Sequence, residues 1–140
     1  MSVRHWVNPI DTLLTAENKL TQLAIANRIG LSVPKTIIAE SPQLAAEFAG
    51  TLPHGAVVKA MSGIALNRFA PQTRFLYTQA LNSPDDEAPW SFPRMVQERV
   101  VAQHDVRVTV IGRRLFTAAL ARQVTDDDWR RNPSTRAFKP

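Results

Sequence analysis

The sequence has no cysteine among its 140 residues, which excludes a disulfide framework and a thiolate metal site. No window approaches the roughly 18 apolar residues that cross a bilayer, and the N-terminus lacks the apolar segment of a signal peptide. Histidine is scarce, and His5, His54 and His104 do not have the spacing of zinc ligands. Glycine-rich phosphate loops and the G-x-S-x-G nucleophile turn are also missing. We therefore expect a cytoplasmic protein that does not enter a membrane.

What the sequence does have is an excess of positive charge, +5, with a pI near 10.4. The whole excess lies in residues 91–140, which contain ten Lys and Arg and five Asp and Glu. A basic surface attracts nucleic acid, nucleotide phosphates and acidic peptides alike. The charge therefore indicates an anionic ligand without identifying it.

The first third of the sequence contains clear helix signals. Asn8 and Pro9 are typical of an N-cap and a first helical position, and residues 15–18 offer a second possible start. Apolar residues then recur at helical spacing, and Gly30 is expected to end this helical region. The Ser-Pro pair at 41–42 repeats the start signal for another, short helix.

Six short segments rich in β-branched and apolar residues predict strands. They are residues 36–40, 56–60, 74–80, 94–101, 106–111 and 115–120. Gly112 to Arg114 are typical of a hairpin turn between the last two segments. Residues 44–49 predict the short helix, whereas 61–72 and 82–93 are expected to be loops. The fold class is therefore mixed α/β with at least one antiparallel hairpin.

Charged residues at several places are candidates for ligand binding. Lys59 lies within the apolar segment 56–60, where an inward-facing ammonium needs an anionic partner such as a phosphate. The alternative is an edge strand whose lysine faces solvent. Asp105 and Arg107 share one face of a strand. They form either a surface ion pair or a site in which Arg107 contacts a phosphate or carboxylate. Residues 97–99 by themselves predict a polar strand end. Residues 126–128 are expected to be solvated charge, with a metal site as the less favoured alternative.

The order of several motifs resembles the ATP-grasp superfamily. The motifs are Glu17-Asn18-Lys19-Leu20, the G-x-x-x-P-x-T pattern of residues 30–36, Ala56-Val57-Val58-Lys59, Val96-Gln97-Glu98-Arg99-Val100, residues 104–112, Arg122 and the RimK-like Trp129-Arg130-Arg131-Asn132. Residues 6–9, 75–78 and 128–131 are most similar to the ATP-grasp maturases of ribosomally made peptides, the microviridin or graspetide type.

This resemblance implies an α/β (α+β), ATP-grasp-like fold, with a mixed or antiparallel sheet, flanking helices and an incomplete second lobe. It places a linker and the first helix in residues 1–34, a small lobe with the Lys59 strand in 35–96, and the hinge and the start of a second lobe in 97–140. The family's N-terminal lobe and its metal-binding strands have no counterpart in the sequence. The chain is therefore expected to be truncated at both ends.

The resemblance also assigns roles to individual residues. Lys19 and Lys59 are expected to face the ATP phosphates, and Asp105 the ribose. The hinge residues expected at the adenine edge are Gln97, Glu98, Arg99 and Val100. The residues expected around the phosphates or the acyl phosphate are Arg107, Arg122, Arg130 and Arg131, with Asn132 nearby. Of these, Arg107, Arg122 and Arg130 are the expected catalytic residues.

The implied activity joins a carboxylate to an amine or an alcohol through an acyl phosphate, with ATP as cofactor and a ribosomally made precursor peptide as partner. Mg²⁺ is expected for the family, but its ligands are not found in this chain, so we expect little or no activity from the chain alone. Two other hypotheses stay open: a non-catalytic module that binds a nucleotide or a peptide, and, with less support, a basic nucleic-acid-binding domain. A homodimer is compatible with all three.

Overall fold

The computed structural model describes residues 7–61, 78–81, 90 and 92–122. Its helices are α1 (Ile10–Glu17), α2 (Lys19–Arg28) and α3 (Pro42–Gly50). Its strands are β1 (Thr36–Ala39), β2 (Ala56–Lys59), β3 (Gln79–Ala80), β4 (Arg94–Glu98), β5 (His104–Ile111) and β6 (Arg114–Ala121). Across these ranges, no helix has both the length and the apolar character that a membrane span requires.

The second helix has well-formed ends at both sides. The Asn18 side chain accepts hydrogen bonds from the N–H groups of Leu20 and Thr21 at 3.0 and 3.1 Å, which makes Asn18 the N-cap of α2. Gly30, at φ +84°, provides the left-handed residue that follows the C-terminal end. The second possible helix start and the glycine end predicted from the sequence are both confirmed.

The first helix starts one residue later than expected. Pro9 occupies the N-cap position with ψ 143°, and its carbonyl accepts the Leu13 N–H at 3.0 Å. The predicted N-cap, Asn8, therefore lies outside the helix, and no side-chain cap is formed. Neither α1 nor α2 contains a buried residue, so the apolar helix face expected from the sequence does not join the core of the described chain.

Four strands form one sheet in the order β1-β4-β2-β3, and each neighbouring pair is antiparallel. The central strands β4 and β2 have the densest burial, because they are paired on both sides. One face of this sheet packs against α3, which begins after the Ser41 side chain caps the Leu44 N–H at 3.3 Å. The residues of this core are Ala39, Ala45, Leu52, Ala56 and Val96, with Ile37, Phe48, Ala49, Leu81 and Trp90 packed around it.

The second sheet is the antiparallel hairpin of β5 and β6. Ile111 pairs with Arg114, so a two-residue turn joins the strands, and Gly112 supplies the positive φ of +61° that such a turn requires. The predicted hairpin is confirmed, with each strand two residues longer than expected. The mixed α+β fold class is confirmed as well, and the sheets are antiparallel throughout the described residues.

Strand β4 ends at Glu98, three residues earlier than predicted. Its last pairing bonds run from the Glu98 N–H to the Lys35 carbonyl (2.8 Å) and from the Arg99 N–H to the Gly55 carbonyl (3.0 Å), after which the chain turns toward β5. The predicted division into lobes at residues 96 and 97 falls within β4 and stays a prediction. The expected loops at 61–72 and 82–93 and most of the predicted strand at 74–80 lie outside the described residues.

Candidate functional site

The two faces of the four-stranded sheet differ in their chemistry. Residues that stand directly opposite each other in antiparallel strands project to the same face, and the register places Thr36 and Val57 opposite Gln97. Lys59, two residues after Val57, projects to this face as well. The α3 core uses the other face, so the polar side chains Thr36, Lys59 and Gln97 gather on the side away from α3.

Lys59 is held in place by a hydrogen bond on this face. Its Nζ donates to Gln97 Oε1 at 2.6 Å, and both side chains are at least half-buried. Strand β2 lies between β4 and β3, so the alternative of an edge strand does not hold. The ammonium is thus fixed on a largely apolar sheet, where an anionic ligand stabilises it more than on an open surface.

The Gln97 amide is itself fixed by a second hydrogen bond. Gln97 is only 5% exposed, and its Nε2 donates to Thr36 Oγ1 at 2.9 Å. The Thr36 hydroxyl in turn donates to the Pro34 carbonyl at 2.9 Å. Sequence reasoning gave Thr36 no role, because 61 residues separate it from Gln97 and only the strand register brings them together.

The two residues that follow Gln97 make hydrogen bonds to neighbouring backbone of the sheet. The Glu98 N–H and carboxylate bond to the backbone of Lys35, at 2.8 and 3.3 Å, and the Arg99 N–H bonds to Gly55. Val100 is 49% exposed, and within the described chain its N–H has no acceptor. The N–H of Val100 is therefore the backbone donor of residues 98–100 that stays open to a ligand.

Of the hairpin residues that the resemblance places at the ribose and the phosphates, Asp105 and Arg122 meet near Val100. Asp105 and Arg107 lie on one face of β5, and Arg122, just after β6, reaches the same side. Arg122 Nε lies 3.7 Å from Asp105 Oδ2, and its Nη1 donates to the Val100 carbonyl at 3.2 Å. Asp105 therefore pairs with Arg122 and not with Arg107, which stays exposed.

Of the remaining candidates, the described residues include Lys19, which is the first residue of α2. The residues Arg130, Arg131 and Asn132, with the acidic residues 126–128, are outside the described residues. Among the described ones, no group of three or more His, Asp or Glu side chains could hold a metal ion.

Three solved structures share this arrangement of elements. The macrocyclase MdnC of Microcystis aeruginosa MRC, bound with precursor peptide MdnA, is 26% identical and superposes with a TM-score of 0.67 over 84% of this chain and 40% of its own. The macrocyclase MdnB of the same organism is 30% identical, with a TM-score of 0.62 over 85% and 39%. A RiPP-associated ATP-grasp ligase of Chryseobacterium gregarium, in complex with ADP and a leader and core peptide, is 25% identical, with a TM-score of 0.61 over 81% and 35%.

This chain has an ATP-grasp-like fold. The resemblance predicted from the motifs, to peptide-modifying ATP-grasp ligases above all, is confirmed by these structures. A curated relative agrees: the α-aminoadipate–LysW ligase LysX of Sulfurisphaera tokodaii is 40% identical over 57 residues, or 41% of this chain and 20% of the ligase. No family model matches the sequence.

The ATP-grasp-like chain spans only part of each of these proteins, about 40% of the macrocyclases and 20% of the LysX ligase. Its described part contains the four-stranded sheet and the hairpin that follows it.

Proposed function

We propose that this chain forms part of the nucleotide site of an ATP-dependent ligase that joins a carboxylate to an amine or an alcohol. The observation that carries the proposal is the fixed ammonium of Lys59, on an interior strand beside the hinge strand and on the sheet face opposite α3. The similarity to ATP-grasp ligases supports a nucleoside triphosphate as the anion that this ammonium meets.

In such a reaction a substrate carboxylate oxygen attacks the γ-phosphorus of ATP, and ADP leaves as the bond to the β,γ-bridging oxygen breaks. The amine or hydroxyl then attacks the acyl carbon, loses its proton and displaces inorganic phosphate. Neither step needs a nucleophile from the protein, since positioning and charge neutralisation carry phosphoryl transfer. A sequence without cysteine and without the G-x-S-x-G nucleophile turn is compatible with this chemistry.

The side chains divide this work by position. Lys59 and Lys19 would neutralise phosphate charge, and the exposed Arg107 would contact the transferred phosphoryl group or the acyl phosphate. Arg122, bonded to Val100 and Asp105, would fix the position of the Val100 backbone relative to the Asp105 carboxylate, which is proposed to face the ribose. The residues Arg130, Arg131 and Asn132 are proposed to complete the phosphate side.

Mg²⁺ accompanies ATP in phosphoryl transfer, where it neutralises the phosphate charge that develops. Within the described ranges, no three His, Asp or Glu side chains are grouped so that they could hold an ion by themselves. No step of the proposal therefore runs through a metal held by this part of the chain.

The proposed acceptor is a ribosomally made precursor peptide. The support is that MdnC was solved with its precursor peptide and the Chryseobacterium gregarium ligase with leader and core peptides. The alternative is a non-catalytic module that binds a nucleotide or a peptide, which would bind ATP without forming ADP in the presence of any peptide. A cytoplasmic location and a homodimer remain expectations of the same proposal.

The proposal is tested by calorimetric titration of the chain with Mg²⁺ and a non-hydrolysable ATP analogue. We expect binding, and Lys59→Met should weaken it about tenfold or more, since a charge-assisted hydrogen bond is lost. Lys35→Met is the matched control, because Lys35 is an exposed lysine whose described contacts are made by its backbone. Absence of binding, or equal losses in the two variants, would overturn the proposal.

A further inference from the structure

A series of hydrogen bonds links Pro34, Thr36, Gln97 and Lys59. The donor and the acceptor of each bond are fixed, because the series ends on a backbone carbonyl. A carbonyl oxygen only accepts hydrogen bonds, so the bond between Thr36 Oγ1 and the Pro34 carbonyl uses the single hydroxyl hydrogen of Thr36. The hydroxyl oxygen is then left to accept. Its partner at 2.9 Å must be the NH₂ end of the Gln97 amide.

The same logic fixes the other end of the amide. With Nε2 turned toward Thr36, Gln97 presents Oε1 on its opposite side, where Lys59 Nζ lies at 2.6 Å. An amide turned the other way would place its N–H groups against an ammonium, which is also only a donor. Because Gln97 is 5% exposed, water is not at hand to compensate for such a mismatch.

We propose that Thr36 and Gln97 are positioning residues that hold the Lys59 ammonium toward a nucleotide phosphate, with Thr36 setting the orientation of the Gln97 amide. This inference rests on the proposed nucleotide site. It gives the Gln97 side chain a role in positioning Lys59, in addition to the contact that the backbone of Gln97 is proposed to make with adenine. The side chain of Gln97 acts through Lys59 on the phosphate end of the ligand, while the backbone at Val100 meets the adenine end.

Burial and register make this arrangement rigid. Thr36, Gln97 and Val57 stand opposite one another on three adjacent strands, so the side chains are fixed by the pairing of β1, β4 and β2. No buried polar side-chain atom of the described residues lacks a partner. A fully satisfied polar network of this kind favours one geometry over others.

The inference is tested with three variants and two ligands, a Mg²⁺–ATP analogue and adenosine. Thr36→Val removes the acceptor for Gln97 Nε2, Gln97→Met removes the amide, and Thr36→Ser keeps the hydroxyl and should restore wild-type behaviour. We expect the first two variants to weaken binding of the ATP analogue by about fivefold, as for loss of one net hydrogen bond, and to change adenosine binding less than about twofold. If these two variants weaken the binding of the ATP analogue and of adenosine by the same factor, Gln97 acts on the adenine and the inference is overturned.

A second measurement does not depend on nucleotide binding. The rate at which an amine-directed acylating reagent modifies Lys59 is followed by mass spectrometry in the chain without ligand, with Lys35 as the internal control. We expect Thr36→Val and Gln97→Met to raise the Lys59 rate at least about twofold, because a hydrogen-bonded amine is less available, and Thr36→Ser to leave it unchanged. An equal Lys59 rate in all variants would overturn the inference, even if the chain binds ATP. If Thr36→Val and Gln97→Met raise the Lys59 rate but the wild-type chain does not bind ATP, only the proposed function is contradicted.

Discussion

The side chains of the candidate site act in pairs that sequence spacing does not reveal. Lys59 was singled out because a lysine in an apolar strand needs a partner, and the structure supplies Gln97 as that partner. A role for Arg122 at the phosphates stays a prediction, and the structure adds that its guanidinium lies between the Val100 carbonyl and Asp105. At this scale the sequence indicates which side chains matter, and the register decides what each one touches.

The first prediction at this scale concerns Arg122. Arg122→Gln should lower the free energy of unfolding by about 1–2 kcal/mol, because it removes a charged hydrogen bond to Val100 and a partly exposed ion pair with Asp105. Arg113→Gln, in the exposed hairpin turn, should change it by less than about 0.5 kcal/mol. Urea unfolding followed by circular dichroism measures both values, and equal effects would show that the Arg122 contacts do not stabilise the hinge.

Local sequence signals predict the helix ends and turns of this chain better than its strand ends. Apart from the predicted Asn8 cap, which is not formed, caps and turns follow the sequence closely, because Asn18, Ser41, Gly30 and Gly112 act on backbone groups within a few residues. Strand ends follow it less closely. Strand β4 stops at Glu98 because its pairing partners, Lys35 and Gly55, end there, although the apolar sequence continues.

The prediction at the scale of elements concerns the end of α2. The Gly30 N–H bonds to the Asn27 carbonyl and the Leu31 N–H to the Ala26 carbonyl, a C-terminal motif that requires a left-handed residue at Gly30. Gly30→Ala should therefore destabilise the chain by about 1 kcal/mol, even though a methyl group there would meet no atom within 4 Å.

Gly50→Ala is the control for this prediction, since Gly50 ends α3 without a positive φ and also has free space around it. It should leave stability unchanged or raise it by up to about 1 kcal/mol, because alanine reduces the freedom of the unfolded chain. Thermal unfolding of both variants checks the two signs, and a Gly30→Ala variant as stable as Gly50→Ala would contradict the account.

The whole molecule combines a basic C-terminal third with a small number of cations at the proposed site. A net charge of +5 is compatible with nucleic-acid binding as well as nucleotide binding. The two ligands differ in how many charges they contact, since a nucleic acid engages a row of basic residues while a triphosphate meets a few.

Salt dependence therefore separates the two functions. Raising NaCl from 50 to 200 mM should weaken binding of the ATP analogue by less than about tenfold, because few charges are screened. A protein that contacts six to ten phosphates would lose affinity for DNA or RNA by about 10³–10⁵-fold over this range. Tight binding of an RNA or DNA oligonucleotide with that steep slope, unaffected by ATP, would favour the nucleic-acid hypothesis over the ligase.

The sequence by itself determined the features that depend on neighbouring residues: the absence of disulfides, the helix ends at Asn18 and Gly30, the hairpin turn at Gly112, and the motif order that resembles ATP-grasp ligases. Only the tertiary structure decided that Thr36 meets Gln97, that Gln97 meets Lys59, and that Arg122 bonds to the Val100 carbonyl. The physical reason is the range of the interactions. Caps and turns satisfy backbone groups a few residues away, whereas side-chain partners across a sheet depend on strand order and register, and one residue of slip would turn each of them to the other face.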